Sequence, residues 1–157
     1  MSMFPGAPGP SDGERGLVLA VAAIAVIGAL TSHLVLDHLD VIPATWGIRL
    51  WTIAAGGVSL PLAVWMLRHQ IGLEGWEGAI RTSLALCAAV PLAGLIGGTL
   101  MLPMHGTMFG PLGLVMTLMA QPMLSALWVV AFAGTHLTAM VWRDERDSIF
   151  RVTLPRV

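Results

Sequence analysis

The residues of this sequence that are best suited to chemistry are its five histidines, which lie near the ends of apolar segments. In the stretch SHLVLDHLD, His33 and Asp37 are four residues apart and would share one face of a helix, and His38 and Asp40 follow directly. A carboxylate beside an imidazole can orient the ring toward a metal ion. This stretch is therefore a candidate half-site for a metal.

A second candidate half-site is MLPMHGTMFG, where thioethers flank a histidine in a segment without formal charge. Soft sulfur ligands favour Cu(I), and imidazole serves either oxidation state of copper. The two stretches together predict a copper site with Asp37 as an orienting carboxylate; its ligands are His33, His38, His105, Met104 and Met108. The sequence has ten methionines, however, and flexible thioethers also fill gaps in apolar cores.

The same histidines allow a b-type haem as a further alternative. Two imidazoles on different helices at similar depth can ligate one iron axially. His33 with His105 would serve near one membrane face, and His69 with His136 near the other. A lone histidine at a membrane boundary is more often a solvated or hydrogen-bonded residue.

Motifs for catalysis are absent from the sequence. It contains no GxSxG, P-loop, HExxH or CxxC pattern, and its single cysteine, Cys87, excludes a disulfide framework. We therefore predict no catalytic residue, and no activity of the chain's own is expected.

The composition of the chain indicates a membrane protein. Of 157 residues, 56% are hydrophobic and 11% are charged, and the mean hydropathy is +0.81. A soluble domain carries about 25% charged residues, so lipid must cover much of the surface. Runs of about 20 apolar residues, the length that crosses a bilayer, predict an all-α bundle of four transmembrane helices. The predicted parts are an irregular arm at 1–15, spans at 16–36, 48–67, 82–102 and 112–142, a connecting loop at 103–111 and a charged tail at 143–157.

The distribution of arginine predicts the orientation. The arm, the loop between the second and third spans, and the tail hold seven of the eight arginines, and Arg49 alone lies on the other side. Cationic loops stay in the cytoplasm, so both termini are predicted to be cytoplasmic. The absence of lysine suggests a GC-rich bacterial genome, and hence a bacterial inner membrane.

Small residues and one tryptophan indicate how the spans pack. Gly94 and Gly98 form a GxxxG pair that permits close helix approach, and Gly28 with Ser32 forms a similar pair. Trp128 lies near the middle of the fourth predicted span, where its indole N–H needs a hydrogen-bond partner.

These observations favour an accessory subunit over an enzyme. A net charge of −1 gives no basic field for nucleic acid. The first expectation is a small subunit of a larger respiratory or photosynthetic membrane complex, with lipid or quinone as its only ligand. The copper and haem sites are the alternatives.

Overall fold

A computed structural model describes residues 10–39 and 45–151, except the side chains of residues 38, 39 and 149–151, and all regular structure in these ranges is helical. A short 3₁₀ turn covers Arg68–Gln70. The helices are α1 (Asp12–Leu39), α2 (Trp46–Met66), α3 (Gly75–Met101), α4 (His105–Ala120) and α5 (Pro122–Arg151). Among the described residues, α1, α2, α3 and α5 are long and apolar enough to cross a membrane. The prediction of four membrane-spanning helices is confirmed.

Helix α1 begins earlier than the arm predicted at 1–15 would allow. The Glu14 amide donates to the Ser11 hydroxyl, and the Ser11 amide donates back to the Glu14 carboxylate at 3.1 Å. This reciprocal arrangement is a capping box, which satisfies backbone donors at a helix start. The carboxylate of Glu145 on α5 also accepts the Gly13 amide at 3.0 Å, so the tail predicted to begin at residue 143 is helical there and anchors α1.

The segment predicted as one span at 112–142 is divided between α4 and α5. Gln121 separates them with φ −124° and ψ 80°, because a residue before proline avoids the helical region and Pro122 is favoured as a first helical residue. The Ser125 hydroxyl donates to the Leu118 carbonyl across this break at 2.6 Å, which a straight helix does not permit. Helix α4, with 16 residues, is about 24 Å long and too short for a bilayer core of about 30 Å. The fourth span is therefore α5.

Helices α1 and α2 run antiparallel, and so do α2 and α3. Asp37 near the end of α1 pairs with Arg49 near the start of α2, at 2.9 Å between Oδ1 and Nη1. Trp51 near the start of α2 donates to the Leu100 carbonyl near the end of α3. We call the end where α1 and α3 finish and α2 and α4 begin the distal end, and the opposite end the proximal end.

Glycines bring α3 and α4 into backbone contact. A Cβ atom added to Gly98 would overlap the carbonyl oxygen of Gly106, and one added to Gly110 would overlap that of Gly94. The close approach expected from Gly94 and Gly98 is therefore present, and its partner is a second GxxxG pair at Gly106 and Gly110. These residues were predicted to lie in the loop at 103–111, but they form the first turns of α4.

A similar contact joins α1 to α2. A Cβ atom on Gly28 would overlap the Gly56 carbonyl oxygen, and one on Gly56 would overlap the Ser32 hydroxyl. Gly28 and Ser32 thus face the same glycine of α2, as their spacing predicted for a helix contact.

The exterior of the bundle is apolar. Val18, Leu19 and Val130 are each about two-thirds exposed, and many other large hydrophobic side chains also point outward. Contact with water would cost about 25 cal/mol for each Å² of this surface. The protein is therefore a multi-pass membrane protein whose outward faces suit a lipid bilayer.

Candidate functional site

A cavity of about 580 Å³ lies in the distal half of the bundle, between α1, α2, α3 and α4. Its size is in the range of small-molecule sites. Its wall is unusually rich in glycine, which leaves space where other residues would place side chains. The lining glycines are Gly28, Gly94, Gly97, Gly98, Gly106, Gly110 and Gly113.

Trp128 of α5 closes one side of the cavity. Its side chain is buried, and its indole N–H donates to the Thr31 hydroxyl of α1 at 3.0 Å. The Thr31 hydroxyl in turn donates to the Ile27 carbonyl at 2.7 Å. The predicted need of Trp128 for a partner is confirmed, and the indole both packs α5 on α1 and lines the cavity.

Few polar groups of the wall are free to bind a ligand. The hydroxyl groups of Thr31, Thr52 and Ser59 donate to carbonyl oxygens of their own helices, at 2.7 to 3.2 Å. Ser32 Oγ and the His105 ring, which also line the cavity, have no hydrogen bond to another group in the described part of the chain. Among residues 10–39 and 45–151, no arginine, aspartate or glutamate lines the cavity.

A tight turn fixes His105 at the mouth of the cavity. Met104 has φ 71° and ψ −62°, and the His105 amide donates to the Pro103 carbonyl at 3.0 Å. These values define a classic γ-turn, a strained conformation that is rare for a residue with a side chain. The turn ends α3 and starts α4, so it sets where His105 points relative to both helices.

The predicted copper ligands are distributed between the cavity and the exterior. His105 lines the cavity, whereas Met104 and Met108 are at least three-quarters exposed. Among the described residues, no group of three or more histidines, cysteines or carboxylates could hold a metal ion. The side chain of His38 and all of Asp40 lie outside the described residues, so the copper site stays a prediction.

His33 lies outside the cavity wall, beside the ion pair of Asp37 and Arg49 at the distal end. Its Nε2 is 3.6 Å from Asp37, which also binds Arg49, so the expected sharing of a helix face by His33 and Asp37 is confirmed. The His33 Nδ1 atom is buried and has no hydrogen-bond partner in the described structure. His33 and His105 thus face different surroundings.

The two proximal histidines also differ. His136 Nδ1 accepts the Gly72 amide at 2.9 Å and lies 2.9 Å from the Thr82 hydroxyl, which fastens α5 to the loop before α3. A nitrogen that accepts from an amide carries a lone pair, so the proton of the neutral ring is on Nε2. His69 is exposed in the 3₁₀ turn. The haem alternative stays a prediction, and the geometry gives His136 a structural role.

The cavity itself was not predicted from the sequence. Its clearest sequence feature is the recurrence of glycine at intervals of three or four residues on both sides of Pro103, which was assigned to helix contact in α3 and to a loop before α4. The polar residues Ser32 and Thr52 were not considered as ligand contacts.

A scan against protein-family models and searches of curated proteins and solved structures found no match to this chain.

Proposed function

We propose that this protein is a small accessory subunit of a larger bacterial inner-membrane complex, of respiratory or photosynthetic type. In this proposal its function is to hold a lipid or quinone molecule in the distal cavity. The observation that carries the proposal is an apolar, glycine-lined cavity of about 580 Å³ inside a bundle that suits a bilayer.

The size of the cavity supports occupation by a ligand. An empty space deprives its wall of dispersion contacts, and helix bundles otherwise close around such a space. Here Gly94 and Gly98 already touch α4 through their backbones, so these helices cannot move closer. A lipid-soluble molecule from the bilayer would restore the missing contacts.

The polar groups of the wall support binding rather than bond making. Ser32 and His105 can donate or accept hydrogen bonds, and the remaining hydroxyls are bonded to their own helices. Such a set orients a neutral ligand within an apolar site.

The exposed face of α4 supports assembly with other subunits. Five methionines on and beside this helix are more than half exposed, namely Met104, Met108, Met116, Met119 and Met123. Methionine is enriched at protein interfaces because its flexible thioether adapts to different partners. In the assembled complex this face would contact a neighbouring membrane subunit.

The proposed orientation places the proximal end in the cytoplasm. Arg15, Arg68, Arg81 and Arg143 belong to that end, and Arg49 belongs to the distal end. The bias follows the rule that cationic segments remain cytoplasmic. The cavity would then lie in the outer half of the inner membrane.

Two valines of α1 provide a matched test of the proposal. Val35 lines the cavity, whereas Val26 is exposed on the exterior of the same helix. Val35→Phe should fill part of the cavity and reduce the amount of lipid or quinone extracted from the purified protein, while Val26→Phe should leave it unchanged. Solvent extraction followed by mass spectrometry provides the measurement.

Equal extraction from both variants would show that the ligand does not occupy the cavity, and the proposal would fail. An absorption spectrum and a metal analysis of the same preparation test the two alternatives. A haem band would support the haem site, and stoichiometric copper would support the copper site.

A further inference from the structure

We propose that the ligand of the cavity is a quinone, whose carbonyl oxygens accept hydrogen bonds from the Ser32 hydroxyl and the His105 ring. This inference rests on the proposed function and selects one of its two ligand classes. Three features support it: the cavity wall has no charged side chain among the described residues, Ser32 and His105 are available as hydrogen-bond donors, and the cavity has a suitable shape.

The charge of the wall argues against a phospholipid head group. A phosphate needs cations or free amide groups to replace its water, and the described wall contains no arginine. At the start of α4, the amides of His105, Gly106 and Met108 already donate to the carbonyls of Pro103, Leu102 and Met104, so most amides of this turn are not available to a phosphate. The site therefore suits an uncharged ligand.

The free donors match a ligand that only accepts hydrogen bonds. The Ser32 hydroxyl lies against Gly56, and any side chain at residue 56 would displace it. The γ-turn at Met104 sets the position of His105 at the start of α4. The Ser32 hydroxyl is thus confined on one side by the backbone of α2, and the turn places the exposed side chain of His105 at the mouth of the cavity. A quinone carries two carbonyl acceptors on one planar ring.

The shape of the cavity suits a flat ring with an apolar tail. On α3 and α4 six glycines leave much of the wall to backbone atoms, and Trp128 provides an aromatic surface on the side of α5. Leu102 and Phe109 line the cavity and are also exposed, so the cavity opens to the exterior beside them. An isoprenoid tail would leave through this opening into lipid.

A titration with defined probes tests this inference. Decylubiquinone would be added to the purified protein in detergent while tryptophan fluorescence is recorded, and decylbenzene would serve as the apolar probe without carbonyl groups. The wild type should bind decylubiquinone saturably and at least about tenfold more tightly than decylbenzene, as expected for two hydrogen bonds.

Matched variants assign the two donors. Ser32→Ala and His105→Phe should each weaken decylubiquinone binding about two- to tenfold. His105→Asn keeps a donor and should retain most of the affinity, which also covers the case that His105→Phe does not fold. Ser83→Ala and His69→Phe alter exposed residues outside the cavity, so they should leave the affinity for decylubiquinone unchanged.

The outcomes separate this inference from the proposed function. If decylbenzene binds as tightly as decylubiquinone, or if Ser32→Ala and both His105 variants bind like the wild type, the quinone assignment is overturned. The proposed function would still stand if Val35→Phe reduced binding of either probe. If neither probe binds the folded wild type and no lipid is extracted from it, both proposals fail.

Discussion

Trp128 shows at the scale of one residue what the sequence can predict about this bundle. A tryptophan in the middle of an apolar segment must place its N–H on an acceptor, and that requirement was predicted. The acceptor, Thr31, is 97 residues away on α1. Its identity depends on which helices are neighbours, and periodicity within one segment does not contain that information.

Replacing Thr31 should reveal the cost of an unsatisfied indole. Thr31→Val keeps the volume of the side chain but leaves the Trp128 N–H without its partner, so we expect a loss of about 1–3 kcal/mol in the free energy of unfolding. Thermal unfolding in detergent, followed by circular dichroism, provides the measurement.

Thr135 supplies the control for this experiment. It is also buried, but its hydroxyl bonds only to the Ala131 carbonyl of its own helix, so Thr135→Val should cost less than about 1 kcal/mol. The double variant Thr31→Val, Trp128→Phe should lose less stability than the sum of its single variants. Strict additivity would contradict an energetic link between the two side chains.

Local spacing in the sequence explains the contact made by His33, but it does not explain the positions of His105 and His136. The contact of His33 with Asp37 follows from their i, i+4 spacing on α1. The hydrogen bond from the Gly72 amide to His136 joins α5 to the loop before α3. His105 lines a cavity whose other residues belong to several helices. For these residues the sequence indicated only that they lie near the ends of apolar segments.

Helix α4 is the element for which the sequence was most misleading. Pro103, Gly106, Gly110 and Pro111 are typical of a loop, and Pro111 lies inside the helix. In this bundle the glycines are needed for contact with α3, and that contact stabilises a helix whose own propensity is low. Tertiary packing has overridden local preference.

The α3–α4 contact can be tested with a pair of glycine variants. Gly98→Ala would place a methyl group on the Gly106 carbonyl, so the backbones must separate and we expect a loss of about 1–3 kcal/mol. Gly134→Ala meets no atom within 4 Å, and it should gain about 0.5–1 kcal/mol from improved helix propensity. If Gly98→Ala and Gly134→Ala changed the melting temperature in the same direction, the result would contradict a close contact between α3 and α4.

At the scale of the whole molecule, hydropathy was sufficient to predict four membrane spans. Each spanning helix contains an 18-residue window with a mean hydropathy of at least 1.4. Three of the predicted spans end close to the observed helix ends, but the third was predicted to begin at residue 82, whereas α3 begins at Gly75 within the predicted loop. The cavity could not be predicted in this way, because it is the space left between four helices rather than a property of any one of them.

The orientation of the chain can be tested with reporter fusions. Gly75, at the start of α3, belongs to the proximal end, and Gly106, in the first turn of α4, belongs to the distal end. The arginine bias predicts that a reporter at Gly75 is cytoplasmic and a reporter at Gly106 is periplasmic. The same compartment for both reporters would contradict the topology with both termini inside.

Native mass spectrometry of the intact protein, released from detergent, tests the central claim most directly. A cavity that holds one ligand predicts a species of the chain mass plus one lipid or quinone, prominent in the wild type and in Val26→Phe and strongly reduced in Val35→Phe. A wild type that carries no such species, or a bound species that persists equally in Val35→Phe, would contradict the assignment of the cavity as a ligand site.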